Sequence, residues 1–304
     1  MSVRAPDQTN GRAYRRLQFY LISRLAQTRQ TLHSLAAKPL GRPMTQHEFC
    51  TVQVDGRLMV VTINRPEVMN SLHPPANHEL AGVFDAFAAD PELWAAIITG
   101  AGDKAFSAGN DLKYQAMGGA MSVPKTGFAG LTSRWDLDKP VIAAVNGVAM
   151  GGGFEIALAC DIIVASETAT FALPEVRVGL AALAGGLHRL PRQIGQKQAM
   201  GMILTGRRVS AAEGQRLGFV NDVVAPGDLM MAARRWAGEM LEASPMSVRA
   251  SKQAVLRGLT EASLQAACEN QSGYEAVRAM FKSEDIREGP LAFAQKRKPD
   301  WKGR

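Results

Sequence analysis

Residues 140–161, PVIAAVNGVAMGGGFEIALACD, are the stretch that most limits what this chain can become. An apolar run of about 20 residues is long enough to be weighed as a membrane span. Asn146, Glu155 and the glycines at 147, 151, 152 and 153 argue against lipid contact, because an ionised carboxylate at mid-bilayer costs about 3 kcal/mol or more. The run reads instead as a strand, VIAAVNG at 141–147, leading through three glycines into a helix, FEIALACD. That leaves one acid, Glu155, directly after the glycines in apolar surroundings.

The flanking sequence repeats the theme. FCTVQVDGRLMVVTINRP at 49–66 predicts a strand, a turn at Asp55-Gly56, a second strand and a stop at Pro66. Leu80, Val83, Phe84 and Phe87 recur at helical spacing over 76–89. AAIITG at 95–100 predicts a buried strand, and Gly100, Gly102 and Gly109 bracket a loop. DIIVAS at 161–166 and ATFALPEV at 169–176 read as further strands. Such alternation of short strands and helices predicts an α/β fold. Beyond about 187, helical patterns dominate at 188–205, 210–217, 226–242, 246–258 and 260–281, with FVNDVVA at 219–225 extended. The expected organisation is an extension over 1–43, a core over 44–245 and a C-terminal helical region over 246–304.

The net charge of +7 sits in the extension, whose eight basic residues face Asp7 alone; the body carries 27 basic and 27 acidic residues. A neutral body lacks the character of a phosphate-tracking surface, so nucleic acid is not an expected partner. The extension reads either as an organelle transit-like segment or as sequence upstream of a true start at Met44, with the second reading favoured. Cys50, Cys160 and Cys268 are widely spaced and odd in number, which fits a reducing, cytoplasmic setting better than a disulfide scaffold. The five histidines show no metal-ligand spacing, so no metal site is expected.

Glycines opening a helix let a ligand approach the backbone, and the free N–H groups there favour developing negative charge. By itself a glycine run is more often a tight strand-helix packing turn, and a buried glutamate can equally be a purely structural one. Two further stretches tip the balance towards chemistry. FSAGND at 106–111 offers a second glycine loop, and FALPEV at 171–176 puts a second carboxylate, Glu175, at a strand end. Two amide-bearing loops and two carboxylates are what a reaction through an enolate requires: a base for water, an acid for the α-carbon and donors for the thioester oxygen.

GAGDKAFSAGNDLK at 100–113, KPVIAAVNGVAMGGGFEIALACDIIVAS at 139–166, FALPEVRVGL at 171–180 and the ending EGPLAFAQKRKPDWKGR strongly resemble the enoyl-CoA hydratase/isomerase family, the crotonases, over residues 46–304. Within it, GFAGLTSRWDLDKPVIAAVNG and SEDIREGPLAFAQKRKPDWKGR resemble the crotonobetainyl-CoA hydratases, also called carnitinyl-CoA dehydratases. The resemblance implies a crotonase-like core of repeated β-β-α units with a C-terminal helical oligomerisation region. It implies reversible hydration of a 2-enoyl-CoA, with crotonobetainyl-CoA to carnitinyl-CoA as the expected case, and no cofactor beyond the coenzyme A of the substrate. Glu155 and Glu175 match the catalytic glutamates, the first activating water and the second protonating the α-carbon. Asn110 and Gly152 match the backbone donors of the oxyanion hole. Glu67, Val68 and Lys113 match CoA contacts, and Phe293 and Lys296 match contacts that a neighbouring subunit makes in a homotrimer or homohexamer. One departure stands out: GLAALAGG at 179–186 puts Ala182 and Leu183 where relatives carry Pro followed by Gly or Asp. The alternatives to hydration are double-bond isomerisation on the same fold and an RNA-binding member of it.

Overall fold

Eleven short strands account for the sheets of the computed structural model, which describes residues 41–120 and 122–304. They are β1 Gly41–Gln46, β2 Cys50–Asp55, β3 Leu58–Ile63, β4 Ala95–Gly100, β5 Ala105–Ser107, β6 Val141–Val145, β7 Val148–Met150, β8 Ile162–Ser166, β9 Thr170–Ala172, β10 Val209–Ser210 and β11 Asp222–Val224. Of the expected extension, residues 1–40 lie outside the described residues, and β1 begins at Gly41, ahead of Met44. Residues 41–304 form one compact unit that includes the C-terminal helices.

The larger sheet runs β1-β2-β3-β4-β6-β8-β11, antiparallel at its first two junctions and parallel from β3 onward. The smaller sheet runs β10-β9-β7-β5, with β9, β7 and β5 parallel. Three times the chain lays one strand in the large sheet and the next in the small one, then enters a helix: β4-β5 before Leu112–Ala116, β6-β7 before Gly152–Ala159, and β8-β9 before the helix Gly186–Ile194. This is the expected β-β-α repeat, with the helix-opening loops after β5 and β7 brought side by side because those strands are neighbours.

Alternation along the strands explains why the parallel sheet reads as continuous apolar sequence. Val61, Ile63, Ala96, Ile98, Val141, Ala143 and Val145 face one core, with Phe84, Phe106, Phe154 and Phe171. Val60, Ile97, Ile142, Ala144 and Val164 face the other, covered by Leu229, Ala232, Ala233 and Ala237 of the helix Leu229–Glu242. A strand buried on both faces has no polar side to show. Behind the glycine turn, the rings of Phe154, Phe171 and Phe219 meet at centroid distances of 5.1–5.2 Å.

Several expected elements are shorter than their patterns. ATFALPEV is a strand only over Thr170–Ala172; Pro174 then starts a 3-10 turn, Pro174–Val178, that carries Glu175. The run 188–205 is two helices, Gly186–Ile194 and Gln196–Thr205, parted at Gly195 with φ of +84°. The run 260–281 is likewise divided into Leu264–Asn270 and Glu275–Lys282. No helix among the described residues is long and apolar enough to cross a membrane.

Candidate active site

The corner between β4 and β5 is held by two asparagines. Asn146, from the corner after β6, accepts from the Gly100 N–H at 3.2 Å and donates to the Gly102 and Ala105 carbonyls at 2.8 and 3.1 Å. Asn70, fully buried in a left-handed conformation (φ +54°), donates to Ala101 O at 3.0 Å and to Ala105 O at 2.7 Å. Its own carbonyl accepts from Ser107 Oγ at 2.8 Å. These bonds fix the backbone that enters FSAGND.

Gly109 and Asn110 then run beside Leu72. The Leu72 N–H donates to Gly109 O at 2.7 Å and the Asp111 N–H donates to Leu72 O at 3.2 Å, a parallel bridge centred on Asn110. In such a bridge the N–H of the central residue points away from the partner. Gly109 has φ of +82°, and a Cβ there would sit 2.6 Å from Met150 O and 2.7 Å from Gly152 N. The two glycine loops therefore touch, and only a residue without a side chain fits between them. Gly152 is the first residue of its helix, where N–H groups have no intrahelical acceptor. Neither its N–H nor that of Asn110 meets a protein acceptor among the described residues.

Phe128 packs over this point: a Cβ on Gly152 would lie 3.1 Å from its ring. Phe128 sits on the short 3-10 turn Phe128–Gly130, fastened by its own N–H to Thr132 Oγ1 at 2.9 Å and by Ala129 N–H to Asn77 Oδ1 at 2.9 Å.

Glu155 lies in the first turn of Gly152–Ala159 and is 2% exposed. Its Oε1 accepts from the Gly186 N–H at 2.8 Å. Burial lifts its carboxyl from 4.5 to about 7; the Gly186 amide, the Ala184 amide and the charge of Arg189 oppose that rise, and the nearby Glu175 adds to it. Glu175 is likewise raised by burial. It approaches the glycine turn, for a Cβ on Gly151 would lie 2.9 Å from its Oε1. Its Oε2 is buried without a hydrogen-bond partner among the described residues. Burial leaves both carboxyls reluctant to ionise, and the charge of Glu175 raises Glu155 further, which favours a state in which one carries the proton. That arrangement can take a proton from one atom and give one to another.

Glu67 is exposed and Val68 half-buried on the 3-10 turn Pro66–Val68, which is tied to the FSAGND loop by the bond from the Ala108 N–H to Met69 O at 2.9 Å. Lys113 is exposed in the helix Leu112–Ala116, whose N-cap Asp111 also pairs with Arg65 at 3.1 Å. Phe293, 87% exposed, and Lys296, in left-handed backbone at φ +53°, lie at the end of the helix Asp285–Ala294; no hydrogen bond joins them to the glycine loops. Ala182 is buried, whereas Leu183 is 79% exposed and does not wedge into the interior of the chain. Sequence reasoning assigned no role to Gly186, Phe128 or Arg189; the pair Gly185-Gly186 following the PE segment was the available signal for the first.

The family described as Enoyl-CoA hydratase/isomerase matches residues 53–304. A carnitinyl-CoA dehydratase of Proteus mirabilis (strain HI4320) is 43% identical over 259 residues, covering 82% of this chain and 96% of the relative. One from Salmonella typhi is 44% identical over 260 residues, covering 82% and 97%. The crystal structure of an enoyl-CoA hydratase from Mycobacterium tuberculosis H37Rv superposes with a TM-score of 0.79 at 37% identity, covering 85% of this chain and all of that one. With this match over residues 53–304, and with two glutamates beside two touching glycine loops on this framework, the chain belongs to the enoyl-CoA hydratase/isomerase family.

Proposed function

We propose that this enzyme catalyses the reversible addition of water to a 2-enoyl-CoA thioester, with crotonobetainyl-CoA and carnitinyl-CoA as the substrate pair. Support for the reaction class comes from the family match, and for the pair from the two carnitinyl-CoA dehydratases of 43–44% identity. The single observation that carries the chemistry is the pairing of Glu155 and Glu175, both pushed towards the protonated form, at one glycine turn.

In this reading the thioester oxygen accepts from the N–H groups of Asn110 and Gly152. Ionised Glu155 removes a proton from water as the oxygen adds to the β-carbon. The electron pair of the alkene moves through the α-carbon to the carbonyl oxygen, giving an enolate held by the two amides. Protonated Glu175 then delivers its proton to the α-carbon, and the carbonyl re-forms. Removing one such amide from a site of this kind costs about 3 kcal/mol of transition-state stabilisation. Glu67, Val68 and Lys113 border the CoA of the substrate, no further cofactor takes part, and Phe293 and Lys296 serve the site of a neighbouring copy in a homotrimer or homohexamer. Exposed Leu256, Leu259, Leu264 and Phe281 on the C-terminal helices support such assembly. The proposed setting is the cytoplasm.

Turnover of crotonobetainyl-CoA is measured beside crotonyl-CoA and longer 2-enoyl-CoAs in water enriched in heavy oxygen. Label appearing in a hydroxyacyl-CoA product, with the highest kcat/KM for crotonobetainyl-CoA, is the expected result. Unlabelled product with a displaced double bond would replace hydration by isomerisation.

A further inference from the structure

Arg189 stands one helical turn beyond the glycine pair that contacts Glu155, in the helix Gly186–Ile194. Its Nη2 donates to Thr132 O at 2.9 Å, and its guanidinium lies over the ring of Trp135, 5.0 Å from the centroid. Nη1 is buried and has no hydrogen-bond partner among the described residues. It presses on Gly185, where any Cβ would collide with it. The next residue, Gly186, gives its N–H to Glu155. Arg189 thus braces two pieces of the site at once: the turn that holds Glu155 and, through Thr132, the segment that lays Phe128 over Gly152.

A half-buried cation with a buried, unused donor is costly unless a negative charge offsets it. Burial weakens the charge on Arg189, and the described residues that oppose this are the buried Cys160, whose thiol burial keeps protonated, and then Glu155, so Glu155 is the group whose charge varies. Those that act on Glu155 are Glu175 and Arg189, besides the Gly186 and Ala184 amides. Other cations nearby are accounted for. Arg134 pairs with Asp85 at 2.6 Å, and His188 and Arg192 are exposed.

We propose that Arg189 is a positioning residue for Glu155, its guanidinium serving as a fixed counter-charge to the carboxylate while it clamps the Gly185-Gly186 turn. This rests on Glu155 being the base, and it adds what makes a deeply buried acid usable near neutrality. Direct pairing would hold Glu155 permanently ionised and weaken it as a base. A cation set back behind the turn eases ionisation without capturing the proton acceptor.

The test is kcat/KM for hydration of a 2-enoyl-CoA between pH 5.5 and 9.5, in the wild type, Arg189→Met, Arg189→Lys and Glu155→Gln, with folding followed by circular dichroism. Loss of a nearby opposite charge moves a carboxyl upward. In Arg189→Met the acidic limb is expected to move to higher pH, with activity recovering at high pH, and in Arg189→Lys to return towards the wild type. An unmoved limb, or an equal loss at every pH, overturns the proposal. Should Arg189→Met fail to fold, the double variant Arg189→Met/Glu155→Gln is expected to fold at pH 8, and persistent unfolding overturns the proposal just as well. Wild-type turnover in Glu155→Gln would instead remove the base itself, an outcome distinct from an unmoved limb in an enzyme that needs Glu155.

Discussion

The amide of Gly186 reaches Oε1 of Glu155 at 2.8 Å, binding one catalytic helix to the next across 31 residues of chain. The bond fixes one oxygen, and burial keeps the group near neutral charge balance, with its carboxyl at about 7. Because the folded value lies above the unfolded one, the contribution to stability is fully present below about pH 4.5 and is lost as pH rises through about 7. At 1.36 kcal/mol per unit, the loss approaches roughly 3 kcal/mol. Glu155→Gln should therefore become more stable than the wild type as pH rises from 4.5 to 8, by up to about that amount, while turnover falls by about 10² to 10⁴. Denaturant melts at both pH values, paired with kinetics, check the two signs; equal stability at both would remove the buried charge from the account.

Glu175→Gln tests the proton donor. A decrease in turnover of about 10² to 10⁴ is expected with the fold intact, since Oε2 of Glu175 has no partner to lose. Exchange of α-hydrogen with solvent deuterium should fall in step with hydration. Retained exchange would assign α-protonation elsewhere.

Gly109→Ala places a Cβ against Met150 O and Gly152 N while demanding a positive φ. We expect a loss of about 1–3 kcal/mol in stability and a decrease in turnover of about 10² from the displaced amides. Binding of a non-reactive thioester analogue should weaken far less than turnover falls, and an equal loss in both would point to a simple binding defect.

Asn146→Ala withdraws two accepted bonds, from Thr99 Oγ1 and the Gly100 N–H, and two donated bonds from the corner between β4 and β5. A cost of about 2 kcal/mol follows from the polar groups left unmatched. Amide exchange should rise first over 101–110. Protection unchanged there, with stability lost elsewhere, would show that Asn70 alone holds the corner.

How much of this was legible in the sequence follows from range. β4, β6 and β8 are apolar runs of five or six residues, and their burial on both faces wrote them plainly. β9 was read within ATFALPEV, but β5 and β7 have three residues each, too few to show a period, so the pairing that sets the glycine loops side by side was not legible. The last helix, Asp285–Ala294, was unreadable because Gly289 and Pro290 interrupt its interior. Glu155 and Glu175 were conspicuous as acids among apolar neighbours. Phe128, Gly186 and Arg189 act through contacts spanning 24 to 57 residues, and no local pattern announces such a partner.

One carbonyl, that of Ala105, is gripped from two directions by asparagines that lie 76 positions apart in the chain. A loop secured in this manner has no private melting transition, because slackening it requires both distant anchors to let go together. Warming should consequently extinguish the activity in the same narrow interval in which the entire body loses its structure, with no earlier, reversible fading.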